Sequence, residues 1–503
     1  MSVAQAQTPP GQTPATRVPL HNILTFGTLG VPLAATLLIL GLYLPRHYVS
    51  LGIGDFKPGA KATFLAVAGI ITLTRVVDII FDPLIALAMD RTDTRIGRYR
   101  PWLLIGGPLV ILGVYWLLIP QAHVSALYLI GWLLVTYAGM SMINLGLAAW
   151  SVGLARSYND RSRLFAIQQA MGVIGSVAIL CLPLVTHGKI AAGVKAATPT
   201  LGLILIIALP IALLITTGLT PEKRVPIGRQ QRFQFADYFR ALMRPSMFRL
   251  VVADLMLTLG PGTTGPLYVY YFHDAKGFKV PDVGLLLIAY IGAGILGAPF
   301  WSRVSSQFGK HRTVQIACVF YSITQTILMA LPRVFVPYSF AQTIPTILGM
   351  FSVGFCASGF LLLVRSMVAD VADEVKLDVK QDLTSLLFSM VTTTTKIGGS
   401  ITVLIVFPIL AFVGYNGAEG AVNTQHAIFG LEMCYLFAPI ILVWFGGAMF
   451  FGYKLDSKRH AEIREALDVA AAEESLTGPL EQPPASAAVT PVGGRMRSAR
   501  DRD

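Results

Sequence analysis

Charge is what this sequence is shortest of: Asp, Glu, Lys and Arg supply 13% of its 503 residues, about half the share typical of a soluble globular chain. That scarcity excludes an ordinary water-soluble protein. Cysteine is rare as well. Cys181, Cys318, Cys356 and Cys434 each sit alone inside an apolar run with no CxxC pair, which leaves neither a disulfide framework nor a thiolate metal site. No HExxH, GxSxG or P-loop occurs, and the eight histidines show no ligand spacing, so the machinery of hydrolases, metalloenzymes and nucleotide-driven enzymes is missing. Gly292-Ala293-Gly294-Ile295-Leu296-Gly297 spells the dinucleotide fingerprint, but it lies in an apolar run without the preceding strand that the fingerprint needs, and close helix packing is its better reading.

What the chain has in abundance is hydrophobic residues, 54% of the total, gathered into twelve stretches long enough to cross about 30 Å of hydrocarbon. The expected membrane helices run near 23–44, 62–89, 101–120, 124–155, 164–186, 199–218, 248–272, 283–302, 313–332, 339–366, 384–414 and 427–453. The fold class expected is an all-α membrane protein, twelve transmembrane helices in two six-helix bundles. Residues 1–20 read as a disordered tail, 21–218 as the first bundle, 219–247 as a basic linker, 248–453 as the second bundle and 454–503 as a polar tail with a short surface helix at 456–473. The net charge of +12 reads as membrane orientation and contact with anionic lipid rather than nucleic acid. Lys and Arg crowd the loops on the side of both termini, which places the termini in the cytoplasm, of a bacterial inner membrane if the source is bacterial. The loop 90–100 carries Gly97-Arg98-Tyr99-Arg100, and the matching loop of the second half carries Gly309-Lys310-His311-Arg312, as expected of duplicated bundles around a central path.

Charge inside a span is expensive and survives by lining a cavity or pairing. Arg75, Asp78 and Asp82 in the second helix are spaced by three and four residues and share one face. Two acids one turn apart in low dielectric favour a shared proton or a cation between them. A structural Arg75–Asp78 pair, with Asp82 near the interface, is the alternative. Lys396, deep in the eleventh helix, needs an anionic partner or a polar solute, and Asp78 or Asp82 can meet it across the midplane; snorkelling ranks second. Asp254 precedes Gly260-Pro261-Gly262-Thr263-Thr264-Gly265-Pro266, a run suited to a gate or site wall in which Thr263 is a candidate solute contact, or to a plain kink. Asn144 and Ser141 offer hydrogen bonds in the fourth helix, or a helix–helix contact. Arg95, Arg98 and Arg100 are candidates to pair with Asp90 or Asp370 and hold the termini side shut.

Taken together, Arg75-Val-Val-Asp78-Ile-Ile-Phe-Asp82-Pro83, Gly97-Arg98-Tyr99-Arg100-Pro101-Trp102, Asn144, Tyr158-Asn-Asp160-Arg161, Ala369-Asp370-Val-Ala-Asp373-Glu374 and Lys396-Ile-Gly-Gly399 resemble the glycoside–pentoside–hexuronide cation symporters, the melibiose-permease-like branch of the major facilitator superfamily. The resemblance implies alternating access, with Asp78, Asp82, Asn144 and Ser141 at the cation site, and Lys396, Asn144, Gln168, Gln169 and Thr263 toward the solute. It adds Arg75 and Asp373 to the gating set of Asp90, Arg95, Arg98, Arg100 and Asp370. The chain departs from melibiose-type permeases at Gly30-Val31-Pro32, where they carry a sugar-contacting Asp, at Gln168-Gln169, near their Arg, and at Asn144 and Ala148, where they carry a carboxylate and an aromatic. The expected function is therefore cation-coupled symport of a sugar, glycoside or hexuronide, the proton favoured over sodium, with no cofactor and no bound metal. Alternatives are a transporter of a lipid-like or other non-sugar solute and, in a different class, a membrane sensor or enzyme. Partners are the solute and membrane lipid; the sequence sets no oligomeric state and is compatible with a monomer.

Overall fold

The computed structural model describes residues 18–476 apart from 93, 120–123, 155–157, 186–193, 223–241, 336, 380–383, 419, 454 and 456. The expected N-terminal tail, most of the expected linker and the end of the C-terminal tail lie outside the described residues. No strand occurs among those described.

In hydrocarbon each backbone N–H and C=O has to find its partner within the segment, and the apolar stretches accordingly fold as helices. These are α1 (Leu20–Leu51), α2 (Lys61–Asp90), α3 (Arg100–Leu118), α4 (Ala126–Leu154), α5 (Tyr158–Val185) and α6 (Val194–Leu219) in the first half. The second half holds α7 (Pro245–Val269, continued by a π-helical turn over Tyr270–Ala275), α8 (Val280–Phe308), α9 (Lys310–Ala330), α10 (Phe340–Val379), α11 (Thr384–Phe412) and α12 (Gln425–Ala448). A polar helix, α13 (Ser457–Leu476), follows. Eleven of these helices are long and apolar enough to cross a membrane. The exception among the expected twelve is α7, whose apolar character is diluted by Arg249, Asp254 and the Gly260–Pro266 run, and which packs against α10, α11 and α12 instead of facing outward along its length. By contrast α6 turns Leu203, Ile207, Ile211 and Leu214 outward at helical spacing while Leu201, Leu205 and Leu209 are buried, the pattern of a helix with lipid on one side and protein on the other.

The duplication suggested by the two loops is visible in the packing. In the first half α1 packs on α5 and α6, α2 on α4, and α3 on α4 and α6; six helices later α7 packs on α11 and α12, α8 on α10, and α9 on α10 and α12. The contacts between halves are matched in the same way, α2 with α11 and α8 with α5. Both α1 and α7 carry a π-helical turn, Ile39–Tyr43 and Tyr270–Ala275, toward the end of the molecule away from the termini, called the distal end below. The close approach of α1 to α5 needs glycine: a Cβ at Gly175 would run into the Val31 backbone.

The expected tenth helix stops at 366, where charge begins, but α10 continues for 40 residues to Val379. Its charged extension is held by partners from other elements, described below. Gly297 of the apparent dinucleotide fingerprint lies inside α8, where a Cβ would meet the Phe355 carbonyl of α10 at 2.6 Å, so the glycine serves helix packing.

Candidate functional site

The second-helix face converges as its spacing requires. Asp78, 6% exposed, accepts a hydrogen bond from Ser141 Oγ of α4 at 2.9 Å. Its other carboxylate oxygen lies 3.9 Å from Arg75 Nη1, and the Arg75 guanidinium sits 3.8 Å from the centre of the Tyr137 ring, a cation–π contact. One turn further along α2, Asp82 Oδ2 accepts from Lys396 Nζ of α11, so the two halves meet through opposite charges. Asp82 Oδ1 is buried and has no hydrogen-bond partner. Asn144 turns its amide back to its own helix, donating to the Met140 carbonyl at 2.9 Å. No group of three or more His, Cys, Asp or Glu able to hold a metal occurs among the described residues.

A cavity of about 340 Å³ opens between the halves beside this cluster. Arg75 and Tyr137 form its edge on the first half, and Thr264, Tyr290, Gln325 and Thr402 supply the polar groups on the second. The rest of the wall is largely apolar, with Leu37, Leu40, Ile71, Leu287 and Met350 among it. Of the residues expected to touch solute, Lys396, Asn144, Gln168, Gln169 and Thr263 are all outside this wall. Helix phase explains the miss at Thr263: it is fully buried and bonded to the Gly260 carbonyl, while Thr264, about 100° further round the helix, lines the cavity. The Gln168 backbone faces Gly30 of α1, which occupies its place in the α1–α5 seam, and Gln169 is exposed.

Beyond the cavity the distal end is closed by a cluster that joins the halves. Arg46 of α1 donates to Asp274 of α7 at 3.1 Å, with its guanidinium 4.6 Å from the centre of the Tyr270 ring. Tyr415, just past α11, donates its hydroxyl to the same carboxylate; burial, reinforced by the neighbouring Asp274, pushes this phenol well above its usual range and keeps it a donor. Phe64 of α2 packs edge-on against Phe407 and Tyr415, and Ser50 bonds the Gly417 carbonyl at 3.3 Å. None of these residues was singled out from sequence. A buried Arg at the end of a span and an Asp after a π-helical turn were the available signals.

The family described as MFS/sugar transport protein matches residues 25–457. The chain belongs to this family. Among relatives of the MFS/sugar transport family, an isoprimeverose transporter from Lactiplantibacillus pentosus is 27% identical over 412 residues, covering 78% of this chain and 81% of its own. The sodium-dependent lysophosphatidylcholine symporter 1 of Homo sapiens is 23% identical over 501 residues, 91% of this chain and 90% of its own. The crystal structure of the nucleoside transporter NupG shares the fold, with a TM-score of 0.63 at 14% identity over 85% of this chain and 99% of that one. As a member of the MFS/sugar transport family the chain is a membrane transporter with a major-facilitator fold, and not an enzyme.

At the termini end of this transporter the expected gate is wired differently. Arg98 and Arg100 do not meet Asp370. The backbone amides of Arg98 and Tyr99 donate to Glu222 at 2.6 and 2.9 Å, Arg100 Nε lies 3.9 Å from the same carboxylate, and Arg100 also donates to the Thr220 carbonyl at 2.8 Å. Gly97, at φ +128°, admits the Glu222 carboxylate where a Cβ would collide with it. Asp370 is held by Lys310 at 2.6 Å, and Asp373 lies 3.1 Å from His460 and 3.5 Å from Arg464 of α13. Each of these pairs stays within one half. Arg95 is exposed, and Asp90 ends α2 with a side chain outside those described.

Proposed function

We propose that this protein is a proton-coupled symporter of a sugar or glycoside, working by alternating access with both termini in the cytoplasm of a bacterial inner membrane. The observation that carries the reading is the Lys396–Asp82 contact, a charge pair between halves one turn from a second acid. Breaking a buried pair by neutralising one partner is costly to the arrangement that relied on it. A proton on Asp82 therefore weakens the tie between α2 and α11 and frees Lys396, which biases the equilibrium between two orientations of the halves. Asp78, Asp82, Ser141 and Asn144 form the cation region in this reading, and Arg75 links it to the solute cavity.

The proton is favoured by what the oxygens are already doing. Both Asp78 oxygens have partners, Asn144 is turned to its own backbone, and Asp82 keeps one free oxygen. One free carboxylate oxygen suffices for a proton, whereas a hard metal cation asks for several oxygen ligands. The cross-half closure at the distal end, together with ion pairs confined to single halves at the other, supports a state open toward the termini. Solute uptake into sodium-free proteoliposomes should run under an inward proton gradient and collapse with a protonophore; strict sodium dependence would overturn the choice of ion.

A second reading, transport of a lipid-like solute, is favoured by the apolar cavity wall. Competition decides between them: free glycosides compete with the transported solute in the first reading, and lysophosphatidylcholine alone competes in the second.

A further inference from the structure

Gln325 of α9 is a polar side chain in an otherwise apolar stretch, 1% exposed, and it lines the central cavity. Its amide nitrogen donates to the Tyr435 carbonyl of α12 at 3.0 Å. That bond sets the amide orientation, because turning the group over would press its oxygen against another acceptor. The opposite atom, Oε1, is then left as an acceptor, buried and without a hydrogen-bond partner. Buried polar atoms are paired in the great majority of cases, and a persistent exception needs a reason.

The neighbouring polar groups do not supply the missing donor and present the same chemistry. Thr264 spends its hydroxyl proton on the Pro261 carbonyl at 2.7 Å and Thr402 on the Gly399 carbonyl at 3.1 Å, so each offers the cavity oxygen lone pairs. The wall on the second half is thus rich in acceptors. Arg75, a donor, stands on the first half.

We propose that Gln325 is a specificity-determining solute residue, its Oε1 accepting a hydrogen bond from a hydroxyl of the cargo. The inference rests on the sugar reading of the cavity and deepens it: the solute presents O–H donors to α7, α9 and α11 and an acceptor-bearing face to Arg75. A site built to pair a hydroxyl penalises an analogue lacking it, because the protein group is then left unpaired.

The test uses the full-length protein in proteoliposomes. Wild type is assayed for uptake of isoprimeverose, methyl β-D-glucoside and methyl β-D-glucuronide, then with monodeoxy and deoxyfluoro analogues of the best of the three. At one hydroxyl position both replacements should raise KM by about tenfold or more, since fluorine accepts but cannot donate. In Gln325→Leu that position should lose its effect while the others keep theirs. Gln325→Asn, a shortened amide, serves in its place if the leucine variant does not reach the membrane. Equal losses in wild type and variant at every position, or rescue by fluorine, would overturn the role of Gln325 while leaving sugar transport standing. Uptake of none of the three glycosides by wild type would overturn the sugar reading and this inference with it.

Discussion

Arg46 Nη2 lies 3.1 Å from Asp274 Oδ1, a contact between residues 228 positions apart that ties α1 to α7. The pair is incompletely satisfied: Arg46 Nε and Nη1 are buried with no hydrogen-bond partner. Taking a guanidinium out of water costs several kcal/mol, and two unfilled donors return only part of that. Water entering the distal end hydrates what the closed form leaves bare, so the pair is suited to a closure that must open again.

Asp274→Ala should therefore loosen the distal closure. A cysteine at Leu42, in the cavity wall, is expected to react with an impermeant maleimide from the distal side on the order of tenfold faster than in the parent, the response of a two-state equilibrium to a shift of about 1.4 kcal/mol. An unchanged rate would mean that aromatic packing around Phe64 holds the end shut without the ion pair.

Asp78→Asn and Asp82→Asn should each bring solute accumulation down to equilibrium while the protein still inserts, since Asn is nearly isosteric. In Asp82→Asn the Lys396 ammonium also loses its charged partner, so the cross-half tie is weakened. Full concentrative uptake by both variants would remove the acids from ion coupling.

Glu222→Ala tests a different kind of contact. It strips acceptors from the Arg98 and Tyr99 amides, and orphaned buried donors cost about 1–3 kcal/mol each. The melting temperature in detergent should fall by several degrees. Accessibility of the cavity from the termini side should stay the same, because Glu222 braces one half internally. A large rise in accessibility would instead make it a gate.

For α13 the competing terms are charge and burial. His460 and Arg464 reach Asp373 from half-exposed and exposed positions, where ion pairs contribute about 0–1 kcal/mol, whereas Ile463 is 2% exposed and truncating it costs about 2 kcal/mol or more. Ile463→Ala should speed trypsin nicking of α13 far more than His460→Ala. The reverse order would give the ion pairs the larger share.

The Asp82–Lys396 contact was legible from sequence because charges inside spans are few and have to find one another. Helix existence was legible for the same reason of solvent: hydrocarbon leaves the backbone little choice. Side-chain phase was not. Thr263 and Thr264 are equivalent by composition and differ only in which way α7 is turned, a matter set by its contacts with α11 and α12. Glu222 was hidden because a lone acid in a polar segment carries no periodic signal, and its role comes from the turn at Gly97 that receives it. Gln325 could have been found by the rule that flagged Lys396, had uncharged polar residues in spans been weighed as heavily as charged ones.

The 40 residues of α10 form a rod about 60 Å long at 1.5 Å per residue. Its far end carries Asp370 and Asp373, to which α13 is fastened. A tilt of roughly 10° about the middle of such a rod displaces its end by about 5 Å, and α13 rides with it. The C-terminal helix is thus a pointer on a lever. A donor dye on its exposed Glu462 and an acceptor on exposed Arg95 of the first half would register each swing of the transport cycle as a change in distance, with no label inside the membrane.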